Sequence, residues 1–168
     1  MRGAGRRGFT VFELTVVIVV FGVLVTALLA RLHYYPELAE KAKMESELRT
    51  IKTGLQIKLA ELIITNRQAE AGRLEIEDPM QWLDARPANF GGAYSDPPAR
   101  GKWYFDRGAR QLVYAVHNGD RLDLDAGAAA KEIRFRARLL KDQLNLGGVV
   151  VESVTGVTLL PVRPYHWR

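Results

Sequence analysis

No cysteine occurs anywhere in this chain, so a disulfide scaffold and a thiolate metal site are both excluded. Only three histidines are present, His33, His117 and His166. They lie respectively after the first apolar run, at a predicted strand end and near the C-terminus, with no partner arrangement of the kind a nucleophile or a zinc ion needs. Gly-x-Ser-x-Gly, a phosphate loop and His-Glu-x-x-His are all missing, and an enzymatic role is not expected. A strong basic field is missing too. The formal charge is +5, but with Arg2, Arg6 and Arg7 set aside 21 basic residues face 19 acidic ones. No dense Lys/Arg patch interleaved with aromatics appears, so no nucleic-acid partner is required.

What the chain does have is one long greasy run. Leu14–Ala30 is 17 residues without a charge or a proline, broken only by Thr15, Gly22 and Thr26. Crossing a bilayer takes about 20 residues as a helix. Arg2, Arg6 and Arg7 stand ahead of it and no comparable cluster follows Arg31, which puts the N-terminus on the cytoplasmic side and the remainder outside. Glu13 stands at the mouth of the run. A carboxylate there is costly, and such a residue is a functional hypothesis by default. An ordinary secretory signal cut near Thr26–Ala30 is the competing reading, but it has no use for the residues that come before the run.

Those residues are Arg6-Arg7-Gly8, then Phe9-Thr10-Val11-Phe12-Glu13, then Leu14-Thr15-Val16-Val17. They resemble the class III signal of type IV pilins and type II secretion pseudopilins: a short basic leader ending in Gly, then Phe-Thr, two apolar residues, Glu and an apolar helix. The resemblance covers about the first thirty residues. It implies a leader at 1–8, cleavage between Gly8 and Phe9 by a prepilin peptidase, N-methylation of Phe9, and a transmembrane and assembly helix at 9–31. It also implies Glu13 as the assembly residue, pairing with the freed amine of a neighbouring subunit. The partners implied are other pilin or pseudopilin subunits, the inner-membrane assembly machinery and membrane lipid. The place implied is the bacterial inner membrane, single-pass, with the C-terminal domain periplasmic, and afterwards a type IV pilus or a secretion pseudopilus. The idiosyncratic loop and sheet point to a minor subunit. The chain departs from the family habit in having Ala30 where a proline is common; Pro36 follows six residues later as the site of a kink or a fresh start. The alternative from another class is a single-pass anchored envelope binding module, which predicts no processing at Gly8.

Beyond the run the expected fold is α+β: a long N-terminal helix, transmembrane then amphipathic, packed on a C-terminal antiparallel sheet of about four strands, as in pilins. The amphipathic part spans 32–66. Leu48, Ile51, Leu55, Leu59 and Leu62 recur at helical spacing, Gly54 permits a close neighbour, and the charges from Glu40 to Lys58 read mostly as a solvated face. The remainder, 67–168, opens with a Pro- and Gly-rich loop from Gln68 to Gly101, interrupted by a helical turn at Pro79–Leu83 with Asp78 as its cap. A hairpin is expected next, Lys102–Asp106 and Gln111–His117, with Trp103 and Phe105 on one face and Tyr104 on the other. One of those sets is core; the other is open. Strands at Glu132–Leu139, Val149–Val154 and Val157–Leu160 complete the sheet. Asp120, Asp123 and Asp125 follow an Asn-Gly turn and are candidate oxygen ligands for calcium, with a solvated acidic loop as the plainer reading, so no metal site is assigned.

Overall fold

The structure is a computed structural model, and it describes residues 10–32, 34–124, 131–146 and 149–168. The chain divides after Leu38 into two compact units.

The first unit carries α1, Val11–Leu32. Its stretch Val11–Leu29 is 19 residues long, apolar enough to cross a membrane and unburied along its length. The two hydroxyls inside it are satisfied by the helix itself: Thr15 Oγ1 donates to the Val11 carbonyl at 2.9 Å and Thr26 Oγ1 to that of Gly22 at 2.8 Å. Hydroxyls satisfied within the helix suit a hydrocarbon environment. A further helical span, α2, runs Tyr34–Ile64 and includes Pro36.

In the second unit the expected stripe is the core face of α2. Met44, Leu48, Ile51, Leu55, Leu59 and Leu62 are all buried, each contributing about 1.5–3 kcal/mol when fully removed from water. Gly54 lies on this helix where an added Cβ would run into the Leu83 side chain, so the close approach expected of it is real. Gly54→Val is expected to lower stability by about 1–3 kcal/mol through overpacking, read as a lower urea midpoint at unchanged slope. An unchanged midpoint would mean that Leu83 simply swings away.

The sheet corrects the expectation in three respects. It has five strands, in the spatial order Phe90–Ala93, Lys102–Asp106, Gln111–Ala115, Glu132–Leu146 and Val149–Pro161, and it is mixed. Phe90–Ala93 (β1) runs parallel to Lys102–Asp106 (β2), because the segment between them crosses back over the sheet before β2 begins. Sequence reasoning placed β1 inside a loop. Gly91 and Gly92 read as breakers, yet Gly91 is needed where it is: a Cβ there would collide with the Tyr104 ring. Antiparallel pairing then joins β2 to Gln111–Ala115 (β3), across the expected four-residue turn, with Trp103 opposite Tyr114 and Phe105 opposite Leu112. Second, the last strands are longer than predicted. Glu132–Leu146 (β5) and Val149–Pro161 (β6) form one extended hairpin, and the break expected at Gly147-Gly148 lies outside the described residues. Third, Leu122–Leu124 (β4) pairs with Tyr165–Trp167 (β7) as a separate two-stranded sheet, so His166 sits in a strand and not in a loose tail.

The segment Gln68–Glu75 is a 3-10 run that buries Ala71 and Leu74, and no mere loop. The turn at Pro79–Trp82 is also 3-10, and it is capped as expected: Asp78 Oδ1 accepts the Met80 N–H at 2.9 Å. Both aromatic sets of the hairpin are buried. Trp103 and Phe105 face the helix side with Leu112, Tyr114 and Phe135. Tyr104 packs with Val113 and Ala115 in a smaller cluster on the opposite face, under Tyr94.

Candidate functional site

The N-terminal motif and the second unit are separate candidates, and the structure says different things about each. Gly8 and Phe9 lie outside the described residues. Thr10 and Glu13 are described, and they form a reciprocal cap on α1. The Glu13 N–H donates to Thr10 Oγ1 at 3.2 Å, and the Thr10 N–H reaches back to Glu13 Oε2 at 3.5 Å. This is the Thr-x-x-Glu capping box, and its signature precedes the apolar run in plain sight. Sequence reasoning treated Glu13 only as a buried charge awaiting a cation. Its carboxylate also starts the helix, and an acid in the first turn complements the helix dipole. The bond from Thr10 is long and exposed, which leaves that carboxylate free for a stronger donor.

In the second unit two helix glutamates, read from the sequence as solvated, reach into the sheet. Glu40 takes three donors: Tyr114 Oη at 3.1 Å and the His117 N–H at 2.7 Å on Oε1, and the Asn118 N–H at 2.7 Å on Oε2. Glu47, two turns on, accepts the Trp103 indole N–H at 2.7 Å and the Asn89 amide at 3.1 Å. Burial, and after it the Glu40 charge, pushes the Tyr114 hydroxyl well above the ordinary tyrosine range. Lys41 Nζ donates to the Trp167 carbonyl at 2.5 Å and ties β7 to the same helix. Three of the α2 charges are therefore inward staples, which periodicity alone does not separate from the solvated ones.

On the far face of the sheet Arg134 is fully engaged. It meets Asp106 at 3.0 Å and Glu132 at 2.9 Å, and its guanidinium lies 4.9 Å from the Tyr94 ring centre. Asp106 is held below the usual carboxylate range, first by the Ala109 N–H at 2.9 Å and then by Arg134.

Asp120 is exposed and pairs with Lys131 at 3.1 Å, Asp123 lies on β4 opposite His166, and Asp125 is outside the described residues. Among the described residues no group of three or more His, Cys, Asp or Glu side chains converges. His117 contributes its backbone N–H to Glu40, and His166 is on the ladder between β4 and β7. Comparison with protein-family models, with curated proteins and with solved structures returned no match.

Proposed function

We propose that this chain is a minor pilin or pseudopilin: a structural subunit, not an enzyme, inserted in the bacterial inner membrane with its sheet unit on the periplasmic side. The reading is carried by one observation, the contiguous Arg6-Arg7-Gly8-Phe9-Thr10-Val11-Phe12-Glu13 leading directly into an unburied apolar helix of membrane length. Further support comes from the self-satisfied hydroxyls of Thr15 and Thr26 and from a sheet unit with a core of its own. On this reading a prepilin peptidase cuts after Gly8 and methylates Phe9. The apolar helices then leave the bilayer and pack as a filament core. Glu13 trades its weak bond to Thr10 for the amine of a neighbouring Phe9. A subunit out of register leaves that carboxylate unpaired, so pairing selects the correct axial position, while apolar packing supplies most of the energy.

The test is the intact mass of full-length protein extracted from membranes that contain a prepilin peptidase. A chain beginning at Phe9 and one methyl group heavier is expected, with Gly8→Trp left uncut and Glu13→Val still cut. An N-terminus near Ala30, or an intact Met1, would sink the reading.

A further inference from the structure

Three arginines of the sheet unit gather at one place. Arg110 follows the β2–β3 turn, and Arg136 and Arg138 alternate along β5 on the same face as Arg134. Arg134 takes both nearby acids, Asp106 and Glu132. Among the described residues the other three form no ion pair, and they line one cleft of about 360 Å³ between that turn, β5 and the end of the 3-10 run. The single carboxylate that lines it, Glu75, accepts the Leu139 N–H at 2.9 Å on Oε1, and against its one negative charge the three guanidiniums leave the lining net positive. Arg136 bridges weakly to the Ala109 carbonyl at 3.4 Å, while its Nε is shut away from water with no acceptor at all. The other basic cleft of this unit, by Lys58, Arg67 and Arg73, offers a contrast. Its cations are neutralised by Glu61, Glu70 and Glu77, so it has no unspent charge.

We infer that the cleft walled by Arg110, Arg136 and Arg138 is an oxyanion-binding site that takes a phosphate-type group. Three guanidinium forks exceed what one planar carboxylate can engage, whereas a tetrahedral anion offers an oxygen to each. The cleft volume suits a small ligand or an exposed headgroup. Ile76 gives it one apolar wall, half exposed. The group comes either from a soluble phosphate ester or from an anionic lipid headgroup, and both present the same chemistry.

The probe is inorganic phosphate, added at low ionic strength to the full chain in a neutral maltoside detergent, with the arginine Nε–H resonances as the readout. Saturable shifts of Arg110, Arg136 and Arg138 are expected, with Arg134 still. The double variant Arg110→Gln, Arg138→Gln removes two exposed cations and leaves the fold intact by near-ultraviolet circular dichroism. Its apparent Kd is expected to weaken tenfold or more. A second arm places the protein in phosphatidylglycerol or phosphatidylcholine nanodiscs without phosphate. Shifts of the same three resonances in phosphatidylglycerol alone assign the group to a lipid headgroup, and shifts only on adding phosphate assign it to a soluble ligand. A linear drift shared by Arg134, or equal affinity in the double variant, overturns the site.

Discussion

Trp103→Ala is expected to remove a large part of the stability of the sheet unit. The ring is fully buried, 4.8 Å from that of Tyr114 and 6.0 Å from that of Phe135. Deleting such a ring costs about 3–5 kcal/mol, a large part of the roughly 5–15 kcal/mol that a domain has in total. The substitution also strips Glu47 of its indole donor, so the cavity and a half-paired carboxylate arrive together. Trp103→Phe separates the two effects. It keeps most of the ring volume, loses the N–H, and is expected to cost about 1–3 kcal/mol. Urea melts followed by circular dichroism give both numbers. A loss below about 1 kcal/mol for the alanine variant would show that Trp103 is not at the centre of the core.

Alkaline pH is expected to have the next largest effect. Burial is the leading cause that raises the hydroxyls of Tyr94, Tyr114 and Tyr165 above their ordinary value. A raised folded-state pKa means that the stabilisation is complete below about pH 10 and is lost as pH climbs from there toward the folded value, because the unfolded chain gives up its proton first. For Tyr114, which is almost wholly buried, the limiting slope is about 1.4 kcal/mol per pH unit. Stability measured between pH 9 and 12 should therefore fall steeply in the native chain, and less steeply by that slope in Tyr114→Phe. The variant is weaker at neutral pH, since it lacks the bond to Glu40. The slope, and not the starting value, decides the matter, and identical slopes would mean that Tyr114 titrates as though exposed.

How much of this was readable beforehand depended on whether the signal was local. The 3–4 spacing of Leu48 to Leu62 named the buried face of α2, because an amphipathic helix writes its burial into its own period. The cap at Asp78 and the hairpin of β2 and β3 were equally local, each set by turn chemistry within a few residues. β1 was illegible because what makes Phe90–Ala93 a strand is the Tyr104 ring lying over Gly91, a contact made across the sheet. Glu40 and Glu47 look like Glu45 or Lys52 in the sequence. Only the assembled sheet supplies the donors that draw them inward. The cap between Thr10 and Glu13 is a different kind of miss: the signature was present, but the cost of a charge beside an apolar run took precedence in the reading. Arg110 falls in a turn and Arg136 and Arg138 in a strand, and only the topology brings the three to one cleft.

The two glutamates of α2 have a mechanical consequence. They stand seven residues apart, about 10 Å along the helix axis, and each grips donors belonging to strands or to the loop just after one. Sliding the helix by one turn, or rolling it about its axis, would detach both carboxylates at once and leave Tyr114, Trp103 and two backbone amides without acceptors. A greasy interface alone would offer little resistance to such slippage. With these two pins in place, tension applied along α2 is carried as shear by several short hydrogen bonds acting together, so the sheet is hauled with the helix as one piece instead of being left behind.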